Sequence, residues 1–231
     1  MKLDILAIGV HPDDVELSCS GTLLHHIARG RKVGLLDLTR GELGSRGTAE
    51  TRDAEAADSA QIMGALVREN LRMADGFFAH TEENLRQIAR VIRRYQPEII
   101  LANALSDRHP AHGRAAKLTN DACFISGLVK VETQEDDGSL QTPWRPKALY
   151  HYIHDYNLPP DFVVDISPYI EKKEELILAF KTQFYTPDQK GPKTPISGKD
   201  FLDFLRAKAR MYGRHAGFEY GEGFNVSRIM G

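Results

Sequence analysis

Cysteine is scarce in this chain. Only Cys19 and Cys123 occur among 231 residues, which excludes a disulfide framework and a thiolate-rich zinc site. Each falls in a helical pattern, where a free thiol behaves as a small buried apolar group. Excess charge of either sign is also missing. With 30 Lys and Arg against 32 Asp and Glu, the formal net charge is −2, so nothing draws the chain to nucleic acid or to an anionic membrane. No run reaches the about 18 apolar residues of a membrane span. The N-terminal apolar run has one Lys before it and is interrupted by Asp4, which argues against a secretory signal. A reducing cytoplasm is the expected compartment. Internal repeats and low-complexity segments are absent as well. The longest basic feature, Arg86, Arg90, Arg93 and Arg94, has the spacing of one solvated helix face.

What is present is alternation. Apolar strand-like runs at 3–10, 32–38, 66–73 and 99–102 alternate with helical patterns. The first helix carries Val15, Cys19, Leu23 and Ile27 and stops at Gly30. A second spans 49–63 and stops at Gly64, after a loop, 39–48, that holds Gly41, Gly44 and Gly47. A third, to about Tyr95, starts at Thr81, with Glu82 and Glu83 in its first turn where the helix dipole favours anions. Pro97 breaks it. This order predicts an α/β fold: one Rossmann-like domain over 1–231, with a mostly parallel sheet and helices on both faces. Segment 133–146 reads as a polar surface loop. Strands at 148–153 and 162–165 extend the sheet. Ser167 and Pro168 read as the N-cap and first residue of a helix running to Thr182. The loop 186–198 has the composition of a lid, a last helix covers 200–212, and the tail is aromatic and Gly-rich.

The chemistry concentrates where the first strand ends, at His11-Pro12-Asp13-Asp14. Open α/β sheets bind ligands at the C-terminal ends of their strands. A second cluster, Asp107-Arg108-His109-Pro110-Ala111-His112, follows the strand 99–102 and so opens on the same edge. His11, Asp14 and His112 together supply two imidazoles and a carboxylate, the ligand number of a catalytic zinc site with one open position. Zn2+ suits this set, and Fe2+, Mn2+ or Co2+ could occupy it. Asp13 could take a proton from a water acidified by the metal. His109 could donate a hydrogen bond to a developing oxyanion, or a proton to a leaving amine. The plainer alternatives are that Asp13 or Asp14 merely caps the following helix and that His109 and His112 are ordinary loop histidines. Other histidines carry less. His25 and His26 are adjacent on a helix and diverge, His151 and His154 are placed on opposite faces of a strand, and His80 and His215 have no partner motif.

Taken together, these blocks resemble the PIG-L/LmbE deacetylase family over nearly the whole chain. The resemblance rests on His11-Pro12-Asp13-Asp14-Val15-Glu16 with Gly21-Thr22, on Asp37-Leu38-Thr39 with the segment from Gly41 to Thr48, on Arg52 with Glu55-Ala56-Ala57, and on Asp107-Arg108-His109-Pro110 with His112-Gly113. The later blocks, Pro160 to Ser167, Lys181-Thr182-Gln183-Phe184 and Tyr220 to Phe224, are similar to the branch that makes bacillithiol by deacetylating N-acetyl-D-glucosaminyl-L-malate. The resemblance implies a zinc-dependent N-deacetylase with one zinc held by His11, Asp14 and His112. It makes Asp13 the general base and gives His109 the oxyanion or the departing amine. It implies that Arg52 contacts substrate, where its charge suits malate carboxylates; read alone, Arg52 is a helix-surface ion pair. A small amino-sugar conjugate and a homo-oligomer, trimer or hexamer, complete what it implies. One departure is Ala111, where family members commonly carry Asp; Asp107 is then the candidate to orient His112.

Two rivals stand beside this reading. One is a deacetylase or amidase for another N-acetylglucosamine or thiol conjugate. The other is a non-catalytic metal- or sugar-binding protein, which would need neither Asp13 nor His109. A nucleotide-binding Rossmann protein is disfavoured because no G-x-G-x-x-G follows the first strand.

Overall fold

Alternate residues of the first strand serve two cores. Leu6 and Ile8 pack with Leu36, Ile100 and Ala102 on one face, and Ile5 and Ala7 pack with Leu35 and Leu101 on the other, as the two-residue period of a strand requires. Near-continuous apolar runs therefore mark strands covered on both sides. The computed structural model describes residues 1–188 and 191–227. Its elements are β1 (Ile5–Gly9), α1 (Asp14–Ile27), β2 (Val33–Asp37), α2 (Ala49–Met63), β3 (Val67–Asn70), α3 (Glu82–Tyr95), β4 (Ile99–Ala102), α4 (Pro110–Ile125), β5 (Ala148–Tyr152), β6 (Phe162–Asp165), α5 (Ile170–Leu178), α6 (Lys199–Ala216) and β7 (Gly221–Val226). They form a single-domain α/β fold. The sheet order is β3-β2-β1-β4-β5-β7-β6. The first five strands in that order run parallel, and β7 is antiparallel to both β5 and β6. Helices α3 and α4 pack together on one face, while α1, α2 and α5 share the other.

Local chemistry sets the helix ends. Thr48 and Thr51 form a reciprocal capping box at the start of α2, and Gly64 closes it in the left-handed region at φ 81°, a conformation that favours glycine. Thr81 caps α3 by accepting from the Asn84 amide. The strand order reverses between β1 and β4, which β1 pairs with on the side opposite β2. The crevice beyond the carboxyl ends of two such strands is the topological switch point of an open sheet, and both His-bearing segments leave from it.

Four expectations are corrected. The tail contributes β7, inserted antiparallel into the sheet; its glycines hid it, and at Gly221 a Cβ would come within 2.4 Å of Val163 and 2.9 Å of the Gly213 backbone nitrogen. The helix expected to run from 168 to 182 is split into a 3-10 turn, Ser167–Tyr169, followed by α5. Ser167 Oγ donates to Asp165 Oδ1 at 2.6 Å instead of capping. Arg93 is not on a solvated face. It is buried and donates to the carbonyls of Ser126 and Leu128 and to Thr133 Oγ1, tying the 126–133 segment to α3. The His109-x-x-His112 cluster is not all loop, since His112 sits in the first turn of α4. Among the described residues no helix is long and apolar enough to cross a membrane. The expected lid, 186–198, lies outside the described residues at 189–190, as does the tail at 228–231.

Candidate metal centre and active site

The turn after β1 is built around the Asp14 carboxylate. Its Oδ2 accepts from the Val10 amide at 2.8 Å, the His11 amide at 3.1 Å and Asn103 Nδ2 at 2.9 Å. Three donors satisfy that oxygen and leave Oδ1 as the free ligand atom. Oδ1 lies 3.5 Å from His11 Nδ1 and 3.3 Å from His112 Nε2. Asp13 occupies the N-cap position of α1 without a side-chain capping bond, and Asp14 spends its carboxylate on the turn. Neither plain capping reading holds.

Each imidazole is oriented from behind by a carboxylate, the usual support of a metal-ligating histidine. His11 Nε2–H donates to Asp75 Oδ1 at 3.1 Å. His112 Nδ1–H donates to Asp107 Oδ2 at 2.5 Å. The nitrogens left over, His11 Nδ1 and His112 Nε2, face Asp14 Oδ1. His112 Nε2 is buried and has no hydrogen-bond partner, and the ligand atoms of His11, Asp14 and His112 lie within 4.8 Å of one another. An orphaned buried nitrogen beside a free carboxylate oxygen costs free energy unless something binds there. Two nitrogens, one oxygen and no thiolate fit a divalent ion such as zinc. Asp107 fills the orienting role that Ala111 cannot.

The electrostatics agree. Burial pulls the His11 pKa down, but Asp14 and Asp75 outweigh it and raise it to about 9. Burial likewise opposes, and Asp14 and Asp107 prevail, at His112, which rises to about 10. Burial raises the Asp14 pKa, yet the His112 and His11 charges hold it well below the carboxylate range. The donor set thus carries strong negative potential, which protons meet in the absence of a cation.

Asp13 and Arg52 form a buried pair, with Arg52 Nη2 donating to Asp13 Oδ1 at 3.0 Å. Arg52 Nη1 donates to the Gly41 carbonyl at 3.2 Å. Gly41 has φ 67°, and a Cβ there would fall 2.0 Å from Arg52 Nη1, so glycine is what lets the guanidinium reach. Arg52 is therefore an ion pair, but buried and committed to Asp13, not a helix-surface one. His109 N-caps α4, its Nδ1 accepting from the Ala111 amide at 3.3 Å. A ring nitrogen that accepts carries no proton, so the neutral ring bears its proton on Nε2. Burial, then the His11 and His112 charges, lower its pKa, which keeps the ring neutral. The His109 ring centroid is 4.9 Å from that of His11 and 5.1 Å from that of His112.

All six residues named from the sequence, His11, Asp13, Asp14, Arg52, His109 and His112, line one cavity of about 280 Å³. Sequence reasoning missed Asp75, Asn103 and His154. Asp75 follows β3 and Asn103 follows β4 on the same sheet edge, so the topology was the only signal for them. His154 was set aside by strand alternation, but β5 ends at Tyr152 and the alternation no longer applies. The His154 ring stacks on His112 with centroids 4.4 Å apart. Asp107, His112 and His154 also bring donor atoms within 4.8 Å of one another. There, however, the His112 Nδ1–Asp107 Oδ2 hydrogen bond already occupies two of the donors.

An open α/β sheet whose switch point gathers such a donor set, a carboxylate and a neutral imidazole is an architecture suited to metal-assisted hydrolysis. Residues 6–123 match the model of the PIG-L family, described as GlcNAc-PI de-N-acetylase, and the chain belongs to this family of deacetylases. It is similar to YaiS, an uncharacterized deacetylase of Escherichia coli (strain K12), with 30% identity over 137 residues that cover 56% of this chain and 73% of that protein. The conserved protein TT1542 from Thermus thermophilus shares 36% identity at a TM-score of 0.86, covering 99% of this chain and 96% of that one. The N,N'-diacetylchitobiose deacetylase of Pyrococcus horikoshii has the same fold, at 24% identity and a TM-score of 0.80, covering 96% of this chain and 82% of that one.

Proposed function

We propose that this chain is a zinc-dependent N-deacetylase of an N-acetylglucosamine conjugate, and that the conjugate is N-acetyl-D-glucosaminyl-L-malate, as in bacillithiol biosynthesis. The observation that carries the reaction type is that Asp13 and His109 line one cavity with His11, Asp14 and His112, whose donor atoms lie close together. The sugar class is supported by the family description and by the diacetylchitobiose deacetylase among the structural neighbours. The malate part rests on the sequence blocks from Pro160 onward and on the Arg108 guanidinium among the residues that line the cavity.

His11, Asp14 and His112 would hold the ion. When bound, it supplies Lewis acidity that polarises an amide carbonyl and acidifies water. Asp13 accepts the proton of the attacking water, and Arg52 fixes which carboxylate oxygen is free, since Oδ1 is already engaged. His109 donates Nε2–H to the oxygen of the tetrahedral species, a donor whose tautomer is set before substrate arrives. Asp13 then returns its proton to the departing glucosamine nitrogen. Arg108 stands at the rim, half-exposed and paired with Asp155 at 2.8 Å. It is open to an aglycone carboxylate in a way that Arg52 is not, so Arg52 reaches substrate only while sharing its guanidinium with Asp13. The same reading includes a homo-oligomer, trimer or hexamer, which light scattering tests.

The deciding experiment measures free-amine release from N-acetylglucosaminyl-malate, plain N-acetylglucosamine and an N-acetylglucosamine thiol conjugate, on protein of known zinc content. Preference for the malate conjugate is expected. Equal rates on the first two substrates remove malate from the proposal, and zinc binding without turnover on any of them removes the deacetylase.

A further inference from the structure

The turn that carries Asp13 is gripped from behind by a residue outside the cavity. Arg68 lies on β3, the edge strand, two strands away from β1. It reaches back under the turn and uses all five of its guanidinium N–H groups. Nε donates to Asp37 Oδ2 at 2.7 Å, and Nη2 donates to Asp37 Oδ1 at 2.9 Å. Nη1 donates to Glu16 Oε1 at 2.6 Å and to the Ala56 carbonyl at 3.3 Å. The remaining Nη2–H donates to the carbonyl of Pro12. Ser59 Oγ adds a bond to Glu16 Oε1 at 2.7 Å. One side chain thus ties the end of β2, the first turn of α1 and the middle of α2 to the peptide that precedes Asp13.

The buried Pro12 carbonyl is where that turn's backbone hydrogen bonding is interrupted. The flanking carbonyls, of His11 and Asp13, accept from the amides of Asp14 and Leu17 at 3.2 and 3.0 Å. Pro12 has no such amide partner among the described contacts, and Arg68 takes its place. The Pro12–Asp13 peptide plane sets where the Asp13 side chain leaves the backbone. Arg52 then fixes the carboxylate itself, at 3.0 Å. A mere counter-ion for Asp37 and Glu16 would need no planar fork, and a lysine would serve; a contact to Pro12 made together with a bidentate grip on Asp37 does need one.

We propose that Arg68 is a positioning residue for the reaction, holding the Pro12–Asp13 peptide so that the Asp13 carboxylate meets the attacking water. This rests on the deacetylase reading. Misplacement of a reacting group by about 1 Å lowers turnover by about 100-fold, and a loss of that order in kcat is expected for Arg68→Lys and Arg68→Gln. KM and zinc stoichiometry should stay at wild-type values, because Asp75 and Asp107 hold the two ligand histidines and the Val10 and His11 amides with Asn103 hold Asp14. Wild-type kcat in Arg68→Lys would show that charge alone suffices and overturn the proposal. Loss of zinc or of folding in both variants would make Arg68 structural and overturn it too. A crystal structure of zinc-loaded Arg68→Lys supplies a readout independent of turnover. A displaced Pro12–Asp13 peptide with the Arg52 contact broken supports the proposal, and an unmoved peptide overturns it. Absence of turnover in the wild type would strike the deacetylase reading alone and leave the structural readout to decide this one.

Discussion

Arg52 Nη2 donates to Asp13 Oδ1 at 3.0 Å, with both side chains almost wholly removed from solvent. The pair links the residue expected to touch substrate with the residue expected to move the proton. Asp13 is no ligand in this arrangement, because the donor set closes without it. Asp13→Asn should therefore keep one zinc per chain and lower kcat by about 100- to 10,000-fold, the usual contribution of a general base. Full activity in that variant would remove Asp13 from the proton's path.

The same pair has a stability consequence. Removing one partner of a buried pair leaves the other charge unpaired, which costs about 3–5 kcal/mol. Arg52→Ala should lower the urea midpoint accordingly, and Arg52→Ala combined with Asp13→Asn should be more stable than the sum of the two single losses predicts. Kinetics separate the two roles of Arg52. If it acts through Asp13, Arg52→Lys lowers kcat on N-acetylglucosamine and on its malate conjugate alike. A rise in KM confined to the malate conjugate would return Arg52 to the aglycone.

The half of the site on β1 was legible because the strand, its stop and its ligands are contiguous in sequence, and the parallel order of strands brought His109 and His112 to the same edge. What was not legible depends on contacts between distant segments. His112 was read in a loop, although Pro110 is a helix-start residue and places it within the first turn of α4. Asp75 has no motif of its own and becomes visible only when β3 is known to end beside β2. β7 pairs with β5 and β6 through a segment whose glycines lower its strand propensity, and its Glu222 is buried against Gly21, Thr22 and Lys173. Arg93 looked solvated because helical spacing cannot show that carbonyls from 126–133 close over one position of an arginine row.

Asp107 takes over the orienting role left open by Ala111. It holds His112 through Oδ2, and its Oδ1 accepts from the amides of Asp155 and Tyr156 at 2.8 and 3.0 Å. Losing such a partner weakens metal binding by about 10- to 100-fold. Asp107→Ala should show that loss in competition with a zinc chelator, with near-normal activity once zinc is saturating. Placing the family's carboxylate back, Ala111→Asp, should not strengthen zinc binding, because His112 Nδ1 is already engaged. A tighter site in Ala111→Asp would mean that Asp107 orients His112 poorly.

Zinc binding should release protons. His11 and His112 have pKa values of about 9 and 10 in the metal-free fold, against about 6.5 for an unfolded histidine. Burial works against this elevation at both rings, and the neighbouring carboxylates override it. Both rings are therefore protonated at pH 7.5 without metal, and both must be neutral to bind it. Calorimetry in buffers of different ionisation enthalpy should detect the release of up to two protons per zinc. The sign for stability follows from the same shifts. A folded-state pKa above the unfolded one stabilises the fold fully below about pH 6.5, and that stabilisation is lost as pH rises through 9 to 10. The metal-free protein should show a falling Tm across this window, while the Tm increment produced by zinc grows over it as fewer protons remain to be displaced. Zinc binding with no buffer-dependent heat at pH 7.5 would mean that the two imidazoles are already neutral and that the carboxylates around them do not dominate the site.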